Sequence, residues 1–183
     1  MIKNKLYIML SFLMLLSYGC SNKELSQKIT ECYYPDSPKE KAPLWVCGAK
    51  LDGLSVSAVG SIEKSVAGIS FMKQQATANA RAILAQQVKS DIQSQVSNYT
   101  SVNGVADKQN IEKNSSVIIN QITNQSLQGT RVYKEATSLN GTLYVIVGFD
   151  ADMYKNFIQE IINKNAKTLN EPDVNKLKEI LIK

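Results

Sequence analysis

The order of apolar and polar residues along the chain predicts strands on either side of a helical pair. Residues Leu54–Gly60 alternate between apolar and small polar side chains, which is the period of a half-buried strand. From about Ile69 to Tyr99 the apolar residues recur every three or four positions, which predicts a long amphipathic helix. A weaker repeat of the same period predicts a second helix from Asp107 to Leu127, with Gly129 after its end.

A hairpin is predicted after the two helices, because two strand-like runs flank the dipeptide Asn140-Gly141. Asn-Gly favours a two-residue turn in which both central residues take positive φ. Asp150 then caps a final helix. The resulting order is β-α-α-β-β-α, and it predicts an α+β fold with a three-stranded, largely antiparallel sheet. We expect the helices on one face of this sheet and Tyr144–Val147 in its central strand.

The predicted turn also fixes which side chains share a face of the hairpin. On the helix-covered face, the expected pairs are Val132 with Phe149, Lys134 with Val147 and Ala136 with Val145. On the other face, the expected pairs are Tyr133 with Gly148, Glu135 with Ile146 and Thr137 with Tyr144. Since one layer of helices covers only one face, we predict that Tyr133, Tyr144 and Ile146 form an exposed interaction surface. Cover by the segment around Trp45, or by another copy of the chain, is the alternative.

The N-terminus has the pattern of an export signal that ends at a cysteine. Two lysines precede the apolar run Leu6–Leu16, which is too short to span a bilayer. Gly19-Cys20 resembles the end of the bacterial lipobox, although the two residues before Gly19 depart from that pattern. We therefore expect a signal peptide at 1–19 and a lipidated Cys20, whose acyl chains would hold the protein to a membrane. An ordinary signal peptide that ends near a cysteine is the alternative.

Composition divides the rest of the chain into three segments. Residues 20–41 are polar and contain two prolines, which predicts a lipidated N-terminus followed by a flexible tether. Residues 42–166 carry the predicted domain, and residues 167–183 form a short, charged helical tail. Cys32 and Cys47 are the cysteines that remain after Cys20, and an exported protein favours a disulfide between them. Two buried free thiols are the alternative.

Charge and residue usage exclude several function classes. The chain has 21 basic and 16 acidic residues, and without the two lysines of the signal the basic count is 19. These charges are scattered, so we expect no nucleic-acid partner. The chain has no histidine, which removes the usual general base and the commonest metal ligand. We therefore expect no enzyme, no metal site and no cofactor other than the lipid on Cys20.

Three segments together resemble a known family of bacterial proteins. Ala42–Val46, Ala76–Ala85 and Leu143–Asp150 are similar to the LPP20 lipoprotein family, over roughly residues 42–165. The resemblance implies an envelope lipoprotein of the outer membrane or cell surface, with some members resembling host-cell adhesins. It also implies kinship with domains of a flagellar T-ring protein, and it brings no active site. The two later cysteines and the long C-terminal tail depart from the family pattern.

Arg81 lies inside the alanine-rich motif Ala76–Ala85. We expect it to emerge beside a strand end and to form a surface ion pair with Glu63 or Asp150. Such a pair stabilises a fold by about 0 to 1 kcal/mol.

The sequence therefore predicts a lipid-anchored, non-catalytic interaction module of the cell envelope. Its expected partners are the membrane, through the acyl chains, and a protein of the host surface or the envelope. A surface antigen or adhesin is the leading hypothesis. A structural or assembly factor of the envelope or flagellar basal body, and a carrier of a lipid or small apolar ligand, are the alternatives. A second copy of the chain, in a homo-oligomer, is a further candidate partner.

Overall fold

The elements of the fold follow the predicted order, with an additional hairpin at the N-terminal side. The computed structural model describes residues 30–102, 108–122, 127, 129–167, 169 and 171–182. The elements are β1 (Tyr33–Tyr34), β2 (Ser37–Lys41), a 3₁₀-helix (Leu44–Cys47), β3 (Val56–Ile62), α1 (Ile69–Val102), α2 (Lys108–Gln121), β4 (Arg131–Thr137), β5 (Leu143–Phe149), α3 (Ala151–Asn165) and α4 (Glu171–Leu181). The signal peptide and Cys20 lie outside the described residues, so the predictions made for them stay predictions.

The main sheet confirms the α+β prediction. Its three strands have the order β3-β5-β4, and both pairings are antiparallel. All seven residues of the central strand β5 are buried, because this strand is apolar on both faces. Val145, Val147 and Phe149 lie in the helix-covered core, as the alternation of the strand predicts.

The alanine-rich half of α1 lies unusually close to β3. A Cβ added at Gly60 would lie 2.3 Å from the backbone oxygen of Ala76 and from the backbone nitrogen of Ala80. Both alanines are fully buried. The alanine-rich motif Ala76–Ala85 is therefore explained by packing, because only a glycine on β3 and small residues on α1 allow the two backbones to come this close.

The C-terminal helix α4 is part of the core. Its residues Val174, Leu177, Ile180 and Leu181 are buried in the same cluster as the second half of α1. Asn114 Nδ2 of α2 donates a hydrogen bond of 2.7 Å to Asp173 Oδ2 of α4. The segment predicted as a tail after residue 166 is thus a packed element of the domain.

The predicted register of the hairpin is wrong by one residue next to the turn and by two residues at the start of β4. Ser138 N donates to Thr142 O at 3.0 Å and Gly141 N donates to Ser138 O at 2.8 Å, so the loop has three residues rather than two. Gly141 takes a φ of 87°, whereas none of the described non-glycine residues, Asn140 included, has positive φ. This is the geometry of a turn followed by a bulge at glycine.

The corrected register changes the partners along β4. The observed pairs are Thr137 with Leu143, Ala136 with Tyr144, Glu135 with Val145, Lys134 with Ile146, Val132 with Val147 and Arg131 with Gly148. A second irregularity between Val132 and Lys134 places Tyr133 in a bulge. Ala136 therefore packs on the face of Tyr144, not on the helix-covered face as predicted.

The prediction of a flexible tether is wrong for the described part of residues 20–41. β1 and β2 form an antiparallel hairpin there, in which Tyr33 pairs with Lys41 and Tyr34 with Ser37. Alternating burial places Cys32 and Tyr34 inside and Tyr33 outside. The domain thus begins before residue 42.

Candidate interaction surface

A disulfide joins the N-terminal hairpin to the 3₁₀-helix. The Sγ atoms of Cys32 and Cys47 are bonded, with 5.8 Å between the two Cα atoms, which confirms the predicted bridge. Ala42 N also donates a hydrogen bond of 2.9 Å to Cys32 O. Residues 32–47 therefore form one connected unit, here called the cap.

The cap covers the face of the sheet that was predicted to be exposed. Tyr144 is 5% exposed and Ile146 is 1% exposed, and both pack with Trp45. Tyr133 is half-buried against the same cluster. The prediction that these residues form an exposed interaction surface is therefore wrong, and the Trp45 segment supplies the cover within the chain.

Asp36 fastens the cap to the loop between β4 and β5. Tyr144 Oη donates to Asp36 Oδ1 at 2.7 Å, and Ser138 Oγ donates to Asp36 Oδ2 at 2.5 Å. Asn140 Nδ2 donates to the backbone oxygen of Asp36. Both carboxylate oxygens of Asp36 thus accept hydrogen bonds, and the contacts of Asp36 with Tyr144, Ser138 and Asn140 are here called the latch.

These contacts shift the pKa values of the groups that make them. Partial burial acts to raise the pKa of Asp36, but hydrogen bonds from Ser138, Tyr144 and Thr142 outweigh it and lower the pKa below its ordinary value. Burial, followed by the hydrogen bond to Asp36, raises the pKa of Tyr144 to about 12. At neutral pH the carboxylate is therefore an anionic acceptor and the phenol a protonated donor.

An open groove of about 580 Å³ lies beside this latch. Its lining residues are Pro35, Asp36, Ser61, Ile62, Glu63, Thr142 and Tyr144. The hydroxyl of Tyr144 and the carboxylate of Asp36, which both line the groove, are hydrogen-bonded to each other. Among the described residues, no group of three acidic or sulfur side chains is placed to hold a metal ion.

Three exposed apolar side chains lie near the end of the sheet at which β3 ends and β5 begins. Val66 is fully exposed, Leu139 is 85% exposed and Ile69 is 54% exposed. Val66 lies in the segment between β3 and α1, Ile69 begins α1, and Leu139 lies in the β4–β5 loop. The β3–α1 segment and the β4–β5 loop are neighbours, since a Cβ at Gly141 would lie 2.9 Å from Lys64 Cδ. Val66, Ile69 and Leu139 are here called the apolar tip.

The sequence predictions missed both the latch and the apolar tip. Pro35-Asp36 is a turn dipeptide, which was the available signal for a hairpin between two short strands. The apolar tip has no periodic signal, because Val66 and Leu139 lie in loops. Their exposure depends on where the tertiary fold places those loops.

Arg81 lies beside the start of β4 and does not have the partners predicted for it. Its Nε donates to Thr130 Oγ1 at 3.1 Å and its Nη2 donates to Thr130 O at 3.1 Å. Asp150 instead caps α3, with its Oδ1 accepting from Met153 N at 2.8 Å. The structure therefore corrects the expected ion pair with Glu63 or Asp150 to a bidentate contact with a buried threonine.

Within the described part of the chain, no helix is both long enough and apolar enough to cross a membrane. A comparison with curated proteins gives no match. A family model described as LPP20 lipoprotein matches residues 43–150, which is more than half of the chain and contains β3, α1, α2 and the hairpin. The chain therefore belongs to the LPP20 lipoprotein family.

Proposed function

We propose that this chain is a non-catalytic interaction module, anchored to the outer membrane by a lipid on Cys20, that binds a protein partner through the apolar tip. The observation that carries the proposal is the exposure of Val66, Ile69 and Leu139 at one end of a well-packed domain. Apolar side chains that cluster on a surface are typical of contact sites. Membership of a lipoprotein family supports the anchor.

The β4–β5 loop, which carries Leu139 of the apolar tip, is held on two sides. Lys64 packs against Gly141 on one side of the β4–β5 loop. On the other side, Leu139 N donates to Glu40 Oε2 of the cap at 2.7 Å. Binding residues commonly lie on loops that a stable scaffold positions in this way. A partner would therefore meet a largely preformed surface, at a low cost in conformational entropy.

The proposed anchor leaves the domain close to the membrane. Nine residues, 21–29, lie between Cys20 and Thr30, the first described residue. Such a segment spans at most about 35 Å when fully extended. The partner is therefore a protein within reach of the membrane surface, either on a host cell or in the envelope itself.

A binding experiment with matched variants tests the proposal. Full-length lipidated protein is compared with the double variant Val66→Ser/Leu139→Ser, for binding to host epithelial cells and to isolated envelope fractions. The control is Leu44→Ser/Val132→Ser, which removes apolar side chains that are 43% and 39% exposed elsewhere. We expect the tip variant to lose binding and the control variant to keep it. The two variants should unfold at the same temperature.

The same experiment separates the classes of partner. Binding to cells favours an adhesin, and binding to envelope fractions favours an assembly factor. Tip and control variants that bind as the parent does would exclude the apolar tip as the contact surface. Lipid that co-purifies stoichiometrically, with no protein bound, would favour the carrier alternative.

A further inference from the structure

The two free edges of the main sheet are protected very differently. β4 carries Arg131, Lys134 and Glu135 and is interrupted by a bulge. Charges and bulges are the usual devices that stop an edge strand from pairing with another chain. β3 has the sequence VSAVGSI, without a charged residue, and its pairing with β5 is regular from Val56 to Ile62. The β3 edge therefore retains a backbone that another strand can pair with.

The direction of the β3 backbone groups follows from the hairpin. Ser138 N donates to the backbone oxygen of Thr142, the residue before β5, so every second residue from there, beginning with Tyr144 in β5, directs its backbone groups toward β4. The intervening residues of β5, Leu143, Val145 and Val147, direct their backbone groups toward β3. Their partners there are Ile62, Gly60 and Ala58. The N–H and C=O groups of the intervening β3 residues, Ser57, Val59 and Ser61, therefore point outward. Asn79 Nδ2 donates to Ser61 O at 2.9 Å, which agrees with this direction.

Two walls flank this edge and turn it into a groove. On one side, Asn79, Ile83 and Gln87 follow one another at four-residue intervals along α1, so they share a face of that helix. Ile83 is 45% exposed. On the other side lie Trp45 and neighbouring residues of the cap and of the chain that follows it.

A cavity of about 160 Å³ lies between the walls, with Ser57, Ala58 and Val59 at its base. The cavity is partly open, and its lining combines the apolar side chains of Trp45, Val59 and Ile146 with polar groups such as those of Ser57 and Gln87. None of the residues that line this cavity carries a charge.

We propose that this β3 groove binds an extended segment of a partner protein by strand addition. The segment would pair with the outward backbone groups of Ser57 and Val59 and place one aliphatic side chain between Trp45 and Gln87. This inference deepens the proposed function, because it assumes an interaction module, but it uses a surface other than the apolar tip. Strand addition draws affinity from main-chain hydrogen bonds and specificity from pockets for alternate side chains.

The walls favour an extended peptide over a second copy of the chain. In a symmetric pair of β3 strands, each copy would bring its own α1 and cap against those of its partner. Asn79 also engages Ser61 O, which leaves a short run of free backbone groups on β3. A single extended segment has no walls of its own and fits into the groove between them.

A peptide library tests the proposal on the full mature protein in detergent. Random octapeptides displayed on phage are panned against it, and the enriched peptide is synthesised and titrated against variants. Ser57→Pro removes one outward N–H without touching the hydrogen bonds to β5. Its matched control is Thr137→Pro, which removes an outward N–H on the opposite edge, at β4.

We expect Ser57→Pro to weaken peptide binding roughly tenfold or more, since a main-chain hydrogen bond is lost and the proline ring obstructs the strand. Thr137→Pro should bind as the parent does. Ile83→Glu, at an exposed wall position, should also weaken binding, and it serves as the second variant if Ser57→Pro does not fold. Hydrogen exchange should show new protection at the amides of Ser57 and Val59.

Several results would overturn the inference. These are a library that yields no peptide, a peptide that binds Ser57→Pro and Ile83→Glu as it binds the parent, or equal losses in Ser57→Pro and Thr137→Pro. A parent that sediments as a dimer, with Ser57→Pro as a monomer, would assign the groove to a second copy instead. The variant Val66→Ser/Leu139→Ser should bind the peptide normally, so failure of the apolar tip and failure of this groove are distinguishable.

Discussion

Tyr144 donates a hydrogen bond of 2.7 Å from its Oη to Asp36 Oδ1, across 108 residues of sequence. The ring of Tyr144 also lies 5.3 Å from that of Tyr34, so one tyrosine contacts the cap through both its hydroxyl and its aromatic face. This contact converts the outer face of the sheet from a surface into a second, smaller core. The cap thereby decides which parts of the domain remain available to partners.

The carboxylate of Asp36 should make the stability of the cap depend on pH. Because hydrogen bonds lower its folded-state pKa, its contribution is present above the unfolded-state pKa, about 3.9, and is lost as the pH falls through the folded-state value. Asp36→Asn should therefore unfold at a lower temperature than the parent at pH 7. The difference should shrink progressively below about pH 4.

This pH dependence is measured by thermal unfolding of the parent and Asp36→Asn at a series of pH values from about 2 to about 7. Asp52→Asn is the matched control, because Asp52 is an exposed acidic residue of a turn and lies outside the latch. A difference between Asp36→Asn and the parent that stays constant over the whole range would contradict the proposed role of the charge.

Removal of the disulfide should loosen the cap more than the rest of the domain. The bridge closes a loop with a sequence separation of 15, for which chain entropy predicts a stabilisation of about 3 kcal/mol. Cys32→Ser/Cys47→Ser should keep most of its helix and sheet content by circular dichroism. Limited trypsin digestion should cleave it faster after Lys39 and Lys41, both in β2.

Reduction of the parent protein should reproduce the digestion pattern of this double variant. Equal cleavage rates in the oxidised parent, the reduced parent and the variant would mean that the cap holds without the bridge.

Gly60→Ala should destabilise the domain, because a Cβ at this position would overlap the backbone of α1. Overpacking of this kind costs about 1–3 kcal/mol, and relief requires α1 to move away from β3. Gly129→Ala is the control, since a Cβ there would meet no atom within 4 Å. Urea unfolding of the two variants measures the difference, and equal midpoints would show that α1 can shift without penalty.

Leu177→Ala tests whether α4 belongs to the domain core. Leu177 is 1% exposed, so its truncation should cost about 2–5 kcal/mol through lost burial and the cavity left behind. Asn175→Ala, on the exposed face of the same helix, should leave the unfolding midpoint nearly unchanged. If both variants unfold like the parent, α4 does not contribute to stability in solution.

The lipid anchor has a direct chemical test. Cells grown with labelled palmitate should incorporate label into the wild-type protein but not into Cys20→Ser, because the thiol of Cys20 is the expected acceptor. Cys32→Ser/Cys47→Ser keeps Cys20 and should be labelled like the wild type. Equal labelling of wild type and Cys20→Ser would rule out Cys20 as the lipidated residue.

The sequence by itself determined the elements whose signal is local. The recurrence of apolar residues every three or four positions in α1 was visible without the structure, and so was the apolar run of β5, because both signals lie in consecutive residues. The pairing of Cys32 with Cys47 needed only the count of cysteines in an exported chain. The position of β5 in the sheet followed from its apolar residues on both faces.

Only the tertiary structure decided the turn, the cap and the exposed surfaces. The Asn140-Gly141 loop adopts a three-residue form in which Ser138 and Asn140 also bind Asp36, a partner more than 100 residues away that no local rule takes into account. The same long-range contacts bury Tyr144 and Ile146 and leave Val66 and Leu139 in solvent. Exposure is a property of the assembled fold, since it depends on which distant segment packs against a residue rather than on the residue's own neighbours in sequence.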